Sequence, residues 1–161
     1  MRTSELKDIS IELLDGDSLA LGGLDACVVL VVNVASRCGF STQYGRLEKM
    51  QQIWGSQDFT VLGIPSNQFN QELEEEADIK TYCAITWGVT FPMSKKMVLQ
   101  GEGQHPLYQA LTRIPFANGE TGPVRWNFEK FLLLPEGDIL RFPHDMNPDS
   151  EEIVSLIQSN L

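Results

Sequence analysis

The chain has 161 residues, of which 42% are hydrophobic and 21% are charged. That length and composition fit one soluble domain, residues 1–161, with enough apolar surface to bury a core of its own. The net charge of −10 disfavours nucleic acid and anionic membrane surfaces as partners, since both select clustered Lys and Arg. No apolar run reaches membrane-spanning length, and the polar start of the chain does not resemble a secretion leader. We therefore expect a cytoplasmic protein without integral membrane association.

The first half of the chain alternates predicted strands with a predicted helix. Residues 9–24 form two short alternating runs around an Asp-Gly pair, which predicts a β-hairpin. The apolar runs at 28–35 and 59–65 predict interior strands that are covered on both faces. Between them, residues 42–54 predict an amphipathic helix, whose apolar stripe consists of Tyr44, Leu47, Met50 and Trp54.

The second half predicts two helices, a hairpin and a closing helix. The acidic run at 74–76 suits the first turn of a helix that stops at Gly88. Residues 105–114 predict a short helix, 130–142 a hairpin and 149–160 a final helix. This order is that of a thioredoxin-like fold, so the predicted class is α/β. It has a mixed central sheet flanked by helices on both faces, with an N-terminal β-hairpin.

Few residues are available for covalent or metal chemistry. Three cysteines, Cys27, Cys38 and Cys83, are too few and odd in number for a disulfide scaffold, which leaves redox-active thiols or plain buried cysteines. His105 and His144 lie far apart in sequence and have no Cys or His at metal-ligand spacing. We expect no zinc, and we expect surface or capping roles for both histidines.

Cys38 follows a predicted interior strand and precedes a predicted helix. Backbone N–H groups at such a turn stabilise a thiolate, which is the nucleophilic form of cysteine. Arg37 is its neighbour in sequence, and Gly39 keeps the approach to the sulfur open. Position alone leaves open the alternative that Cys38 is a small hydrophobe in a loop.

Two further segments supply hydrogen-bond donors. GIPSNQFNQE, residues 63–72, follows the second interior strand and contains Gln71, while RWNFEKF, residues 125–131, contains Trp126 and Asn127. Segments beyond the carboxyl ends of parallel strands line the ligand crevice of an open sheet. Amide and indole donors aimed at a sulfur favour its charged form. Taken singly, each of these residues could equally be a core or loop-capping residue.

Together, NVASRCGFSTQY, IPSNQF and WNFEKF resemble the three signature motifs of the glutathione peroxidase family, in the family's order. The resemblance covers most of the chain and implies a thioredoxin-like fold. It places Cys38 at the peroxidatic position and implies a catalytic tetrad in which Gln71, Trp126 and Asn127 hold and polarise the sulfur.

The loop around Gln71 departs from the family pattern. Only Asn70 separates Phe69 from Gln71, where the family has two residues, and Glu72 is followed by Leu73 instead of Pro. Either Gln71 still serves, or Glu72 lies nearest to the sulfur. We expect Gln71 to serve, because a carboxylate near a thiolate raises the thiol pKa.

The resemblance also implies a subclass and a reaction. The short link PFANGETGPVR before Trp126 resembles that of monomeric members that accept bulky hydroperoxides, and Cys83 matches the resolving cysteine of thioredoxin-dependent members. It implies that Cys38 reduces a peroxide, becomes a sulfenic acid and then forms a disulfide with Cys83, which thioredoxin reduces. No cofactor is implied beyond this external thiol reductant.

Three alternatives stay open at this point. The same fold could use glutathione directly, although few basic residues near the motifs suit its carboxylates. It could instead be a peroxide sensor that passes its oxidation to a partner protein, or a redox-inactive binding module. Cys27 precedes a buried strand, and we expect it to be a packed, inert thiol.

Overall fold

A mixed four-stranded sheet and a separate hairpin form the strands of the computed structural model, which describes residues 2–161. Met1, the first residue of the predicted domain, lies outside the described residues. The strands are β1 (Ser10–Glu12), β2 (Ser18–Ala20), β3 (Val28–Val34), β4 (Phe59–Pro65), β5 (Lys130–Leu133) and β6 (Ile139–Phe142). The sheet has the order β4-β3-β5-β6, and β1 pairs with β2.

The helices are α1 (Gln43–Trp54), α2 (Glu76–Tyr82), α3 (Pro106–Leu111) and α4 (Glu151–Gln158). A five-residue π-helical turn (Cys83–Trp87), called the π turn below, continues α2. Short 3₁₀ turns occupy Thr3–Glu5 and Leu21–Leu24. Within residues 2–161, no helix combines the length and the apolar character that crossing a membrane requires.

The central strand β3 determines where the functional segments meet. It pairs in parallel with β4, because α1 carries the chain back to the end of the sheet where β3 begins. It pairs antiparallel with β5, which begins at the end of the sheet where β3 finishes. The segments that leave β3 and β4 therefore emerge at the same sheet edge, where the segment that leads into β5 also arrives. The backbone N–H of Phe128 donates to the carbonyl of Asn33 at 2.6 Å, which fixes this third segment to β3.

Two apolar clusters cover the two faces of the sheet. Side chains alternate along β3, so Val28, Leu30, Val32 and Val34 face one cluster and Val29 and Val31 face the other. The first cluster includes buried residues of α1, α2 and α4, and the second includes those of α3 and the N-terminal hairpin. The predicted α/β class, with helices on both faces and an N-terminal hairpin, is confirmed.

One predicted helix boundary differs from the structure and another is confirmed. The acidic run 74–76 was expected inside the first helical turn, but α2 begins only at Glu76. Glu76 instead accepts a hydrogen bond from the backbone N–H of Lys96 at 3.0 Å, which ties the start of α2 to a distant loop. The predicted stop at Gly88 is confirmed, since this glycine has a left-handed φ of 63° that disfavours other residues.

Candidate active site

Cys38 lies in a series of turns between the end of β3 and the start of α1. Its side chain is buried, with 4% of its surface exposed, and the backbone N–H of Phe40 donates to its Sγ at 3.4 Å. Its carbonyl accepts the N–H of Ser41 at 3.0 Å, so the turn closes around the sulfur. A backbone donor therefore reaches the sulfur from the segment that leads into α1.

Backbone hydrogen bonds attach the loop after β4 to the Cys38 turn. The N–H of Arg37 donates to the carbonyl of Gln71 at 2.8 Å, and the N–H of Ser66 donates to the carbonyl of Val34 at 3.1 Å. These bonds join the two segments that follow the parallel strands. Gln71 is thereby held next to Cys38 despite the shortened loop.

The structure brings Gln71 and Asn127 into direct contact. The Nδ2 of Asn127 donates to the Oε1 of Gln71 at 3.0 Å, and Asn127 is fully buried. The Nδ2 of Asn33 in β3 donates to the carbonyl of Trp126 at 3.1 Å, which fixes the backbone of the WNF motif at the same sheet edge. The ring of Trp126 is partly buried and packs on Phe69, with the ring centroids 5.0 Å apart.

The contacts of the sulfur differ from those implied by the resemblance. In the part of the chain that the structure describes, no side-chain hydrogen bond joins Gln71, Trp126 or Asn127 to the Sγ of Cys38. The Oδ1 of Asn127 is buried without a hydrogen-bond partner. The donor that contacts the sulfur is therefore a backbone N–H, while Asn127 contacts Gln71 and Trp126 packs on Phe69.

Glu72 occupies a buried position that the sequence did not predict. Its Oε1 accepts the N–H groups of Ser36 at 3.0 Å and of Leu73 at 2.8 Å, and burial raises the pKa of its carboxyl. Its own N–H donates to the Oδ1 of Asn67 at 3.2 Å. The carboxylate therefore braces the Cys38 turn through Ser36, whereas Gln71 takes the contact with Asn127.

Cys83 is the first residue of the π turn and is buried, with 3% of its surface exposed. Burial raises the pKa of its thiol to about 11, and the negative charge of Glu72 adds to this rise. Cys38 and Cys83 belong to the same apolar cluster, and all three cysteines are free thiols. All three cysteines are therefore reduced in this structure, and the raised pKa of Cys83 favours its protonated form at neutral pH.

The remaining candidates are structural. The thiol of Cys27 is partly buried and donates to the carbonyl of Asp58 at 3.5 Å. The Nδ1 of His105 accepts the N–H of Leu107 at 3.0 Å, so His105 caps α3, while the ring of His144 packs against Phe40. Among the described residues, no three or more His, Cys, Asp or Glu side chains are placed to hold a metal ion.

A mixed sheet with a buried cysteine in the turn after its central strand defines a thioredoxin-like protein. The thiol lies at the end of the sheet where the parallel strands β3 and β4 finish. The solved structures agree with this class. The structure of Trgpx in apo form matches with a TM-score of 0.72 and 33% identity, covering 96% of this chain and 97% of that one. The structure of T. cruzi GPX1 matches with a TM-score of 0.70 and 26% identity, covering 98% and 95%.

Sequence comparison identifies the family. The family model described as glutathione peroxidase matches residues 6–112. A thioredoxin/glutathione peroxidase BtuE of Escherichia coli is 41% identical over 97% of this chain and 94% of its own. A hydroperoxy fatty acid reductase gpx1 of Synechocystis is 40% identical over 82% of each chain. The chain belongs to the glutathione peroxidase family, and the protein is a peroxidase.

Proposed function

We propose that the protein reduces hydrogen peroxide and organic hydroperoxides, including lipid hydroperoxides, with Cys38 as the nucleophile. The Cys38 thiolate attacks one peroxide oxygen, the O–O bond breaks, and the other oxygen leaves with a proton as water or an alcohol. Cys38 becomes a sulfenic acid in this step. Bulky substrates are proposed because the link before Trp126 is short and because a similar protein is named a hydroperoxy fatty acid reductase.

The observation that carries this proposal is the contact between Gln71 and Asn127 beside the Cys38 turn. Two residues that are 56 positions apart in sequence meet through a 3.0 Å hydrogen bond, next to a sulfur that already receives a backbone N–H. Donors placed around the breaking O–O bond stabilise the charge that develops there. The partly buried indole of Trp126 completes the tetrad from the same sheet edge.

We further propose that Cys83 resolves the sulfenic acid by forming a Cys38–Cys83 disulfide, which thioredoxin or a similar dithiol protein reduces. A disulfide requires the two Cα atoms to lie within about 7 Å of each other. Since Cys83 is buried in the π turn, this turn and α2 have to rearrange when the disulfide forms. Both cysteines pack in the apolar cluster on the same face of the sheet.

The charge around the Cys38 turn favours a protein reductant over glutathione. A cavity at this turn is lined by Arg37 and by four acidic residues, Glu72, Glu74, Glu75 and Asp78. The carboxylates of glutathione would be repelled there. We place the protein in the cytoplasm, because the proposed cycle needs a compartment in which thioredoxin keeps thiols reduced. We propose a monomer, because the short link before Trp126 resembles that of monomeric members of the family.

The experiment is a stopped-flow reaction of the wild type and of Cys38→Ser, Cys83→Ser and Cys27→Ser variants with hydrogen peroxide and a fatty acid hydroperoxide. Cys38→Ser should abolish the rapid reaction, and Cys83→Ser should give one turnover and leave a sulfenic acid detectable by mass spectrometry. Cys27→Ser is the matched control and should react as the wild type does. Rapid peroxide reduction by Cys38→Ser would overturn the mechanism. Peroxide consumption by the wild type is then measured with glutathione and with thioredoxin, and turnover with glutathione but not with thioredoxin would overturn the proposed reductant.

A further inference from the structure

Lys130, in β5, is a charged residue with no exposed surface. Lysine is seldom fully buried unless a carboxylate pairs with it, because the ammonium group loses its hydration in the protein interior. Among residues 2–161, no carboxylate forms an ion pair with Lys130. Its Nζ donates instead to the backbone carbonyls of Pro143, at 3.4 Å, His144, at 2.9 Å, and Met146. Such a costly placement calls for a reason beyond filling the core.

The three carbonyls belong to one turn, residues 143–146, called the 143–146 turn below. This turn follows β6, and Lys130 is paired with Phe142, the last residue of that strand. The N–H of Met146 donates to the carbonyl of Pro143 at 3.2 Å, which closes the turn. An ammonium group has three N–H donors, so one lysine can hold all three carbonyls. Lys130 thereby fixes the 143–146 turn to the central sheet.

The 143–146 turn places the ring of His144 on Phe40. The two ring centroids are 5.3 Å apart at an interplanar angle of 70°, an edge-to-face arrangement that aromatic pairs prefer. The carbonyl of His144 also accepts the Nε2 of Gln43 at 2.9 Å, and the N–H of Gln43 donates to the carbonyl of Phe40 at 2.9 Å. His144, Phe40 and Gln43 therefore form a closed set of contacts at the start of α1.

Phe40 supplies the N–H that reaches the Cys38 sulfur, at 3.4 Å. Only Gly39 separates the two residues, and glycine has the widest choice of backbone angles. Gly39 is exposed, and a Cβ at its position would meet no atom within 4 Å beyond its chain neighbours, so no packing restrains it. Besides the bond from the Ser41 N–H to the Cys38 carbonyl, the anchoring of Phe40 by His144 is therefore what keeps this N–H on the sulfur.

Building on the proposed function, in which Cys38 is the nucleophile, we propose that Lys130 is a positioning residue for the reaction with peroxide. It holds the 143–146 turn, the turn seats the His144 ring on Phe40, and Phe40 keeps its N–H on the sulfur. Across the described residues, Lys130 makes no hydrogen bond with Cys38, so it acts through the turn and not as a catalytic group. The supported step is the attack on the peroxide oxygen, for which the sulfur has to be held in line with the O–O bond.

The experiment measures the rate at which hydrogen peroxide oxidises Cys38, by stopped flow with quenched mass spectrometry, in several variants at a single pH. Lys130→Met removes the three bonds to the turn, and His144→Ala removes the ring that rests on Phe40. We expect each to react about tenfold more slowly than the wild type, since misplacing a reacting group by about 1 Å costs up to about 10²-fold. His144 is partly exposed, so His144→Ala tests the proposal even if Lys130→Met fails to fold.

The double variant separates positioning from a direct effect of the lysine charge. If Lys130 acts through the His144 ring, Lys130→Met with His144→Ala reacts about tenfold more slowly than the wild type, no slower than either single variant. If Lys130 acts through its charge, the two losses are independent and multiply to about 100-fold, which overturns the proposal.

Two further variants test the contact itself. His144→Phe keeps an aromatic ring on Phe40 and should stay within about threefold of the wild-type rate. A His144→Phe variant as slow as His144→Ala would show that the imidazole acts in another way, and would overturn the proposal. Lys49→Met removes an exposed lysine of α1 and is the matched control, which should react as the wild type does.

The outcomes distinguish this positioning role from the function on which it depends. A wild type that does not react rapidly with peroxide overturns both. A wild type that reacts rapidly, together with an unchanged rate in His144→Ala or in folded Lys130→Met, overturns the positioning role and leaves the proposed function intact. In that case the bond from the Ser41 N–H suffices to hold the turn.

Discussion

Replacing Arg141 with methionine should lower the free energy of unfolding by about 3 to 5 kcal/mol, because it leaves the carboxylate of Glu129 buried without its partner. Both side chains of this pair have no exposed surface, and their closest atoms, Nη2 and Oε2, are 2.9 Å apart. The guanidinium also donates to the carbonyls of Ile114 and Pro123, each at 3.1 Å, and lies over the Phe116 ring. For a domain of this size, the loss corresponds to a fall in Tm of about 6 to 20 °C.

The deficit should depend on pH in a defined direction. Burial already raises the pKa of Glu129, and Arg141 opposes that rise. Without Arg141 the folded-state pKa of Glu129 rises further above its unfolded value. A carboxyl with a raised folded-state pKa loses stability as the pH rises from the unfolded pKa towards the folded one. The deficit of the variant should therefore be smallest near pH 4 and grow towards neutrality.

The assay is urea unfolding followed by tryptophan fluorescence, at several values of pH. Arg46→Met is the matched control, because Arg46 pairs with Asp149 at 3.1 Å on the surface and its loss should cost less than about 1 kcal/mol. Equal deficits for the two variants, or a deficit at Arg141 that does not grow with pH, would refute the reasoning. Glu129 also accepts the N–H of Arg125 at 3.3 Å, so the Arg141 variant should disturb the backbone just before Trp126.

Three further predictions concern single side chains. Gln71→Ala should slow the peroxide reaction of Cys38 about 10- to 100-fold in stopped flow, because Asn127 loses its partner and turns away from the site; an unchanged rate would remove Gln71 from the tetrad. Cys83 should resist iodoacetamide at pH 8 in the native protein and react after unfolding in urea, since burial raises its pKa to about 11; rapid native alkylation would contradict that environment. Burial lowers the pKa of Lys130 to about 7, below its unfolded value. In urea titrations, the stability of the wild type should therefore rise relative to that of Lys130→Met as the pH increases from about 7 to about 10. A constant difference would show that Lys130 stays charged throughout.

Much of the fold followed from local pattern. The apolar runs predicted buried strands at β3 and β4, and every residue of both strands is buried. The apolar stripe from Tyr44 to Trp54 predicted one buried face of a helix, and that face of α1 is buried. The π turn could not be predicted, because residues 79, 83 and 87 fit an α-helical stripe equally well. In the structure this turn packs against α1, where the ring centroids of Trp87 and Tyr44 are 6.3 Å apart, a contact that no local pattern reveals.

The sequence motifs name the members of the candidate site, but they do not give the contacts between them. Cys38, Gln71, Trp126 and Asn127 carry motif signals, but only the fold shows that Asn127 donates to Gln71 and that a backbone N–H reaches the sulfur. Glu72 was rejected from the sequence because a carboxylate opposes a thiolate. That argument missed that its Oε1 could be held by two backbone N–H groups, which no sequence pattern reveals.

The two thiols differ in how firmly the chain holds them, and this difference assigns the movement in the proposed cycle to Cys83. The backbone N–H groups of Ser36 and Arg37 donate to residues of the loop after β4, so moving the Cys38 turn would break both hydrogen bonds. Cys83 begins a π turn, a rare geometry that often marks functional sites, and this turn ends at a left-handed Gly88. Its next three residues are exposed, with Ile85 80% accessible, and a cavity of about 280 Å³ adjoins Cys83. Unwinding this turn would expose Cys83 and separate Trp87 from Tyr44, but its three exposed residues would lose little, so in the proposed cycle Cys83 moves and Cys38 stays in place.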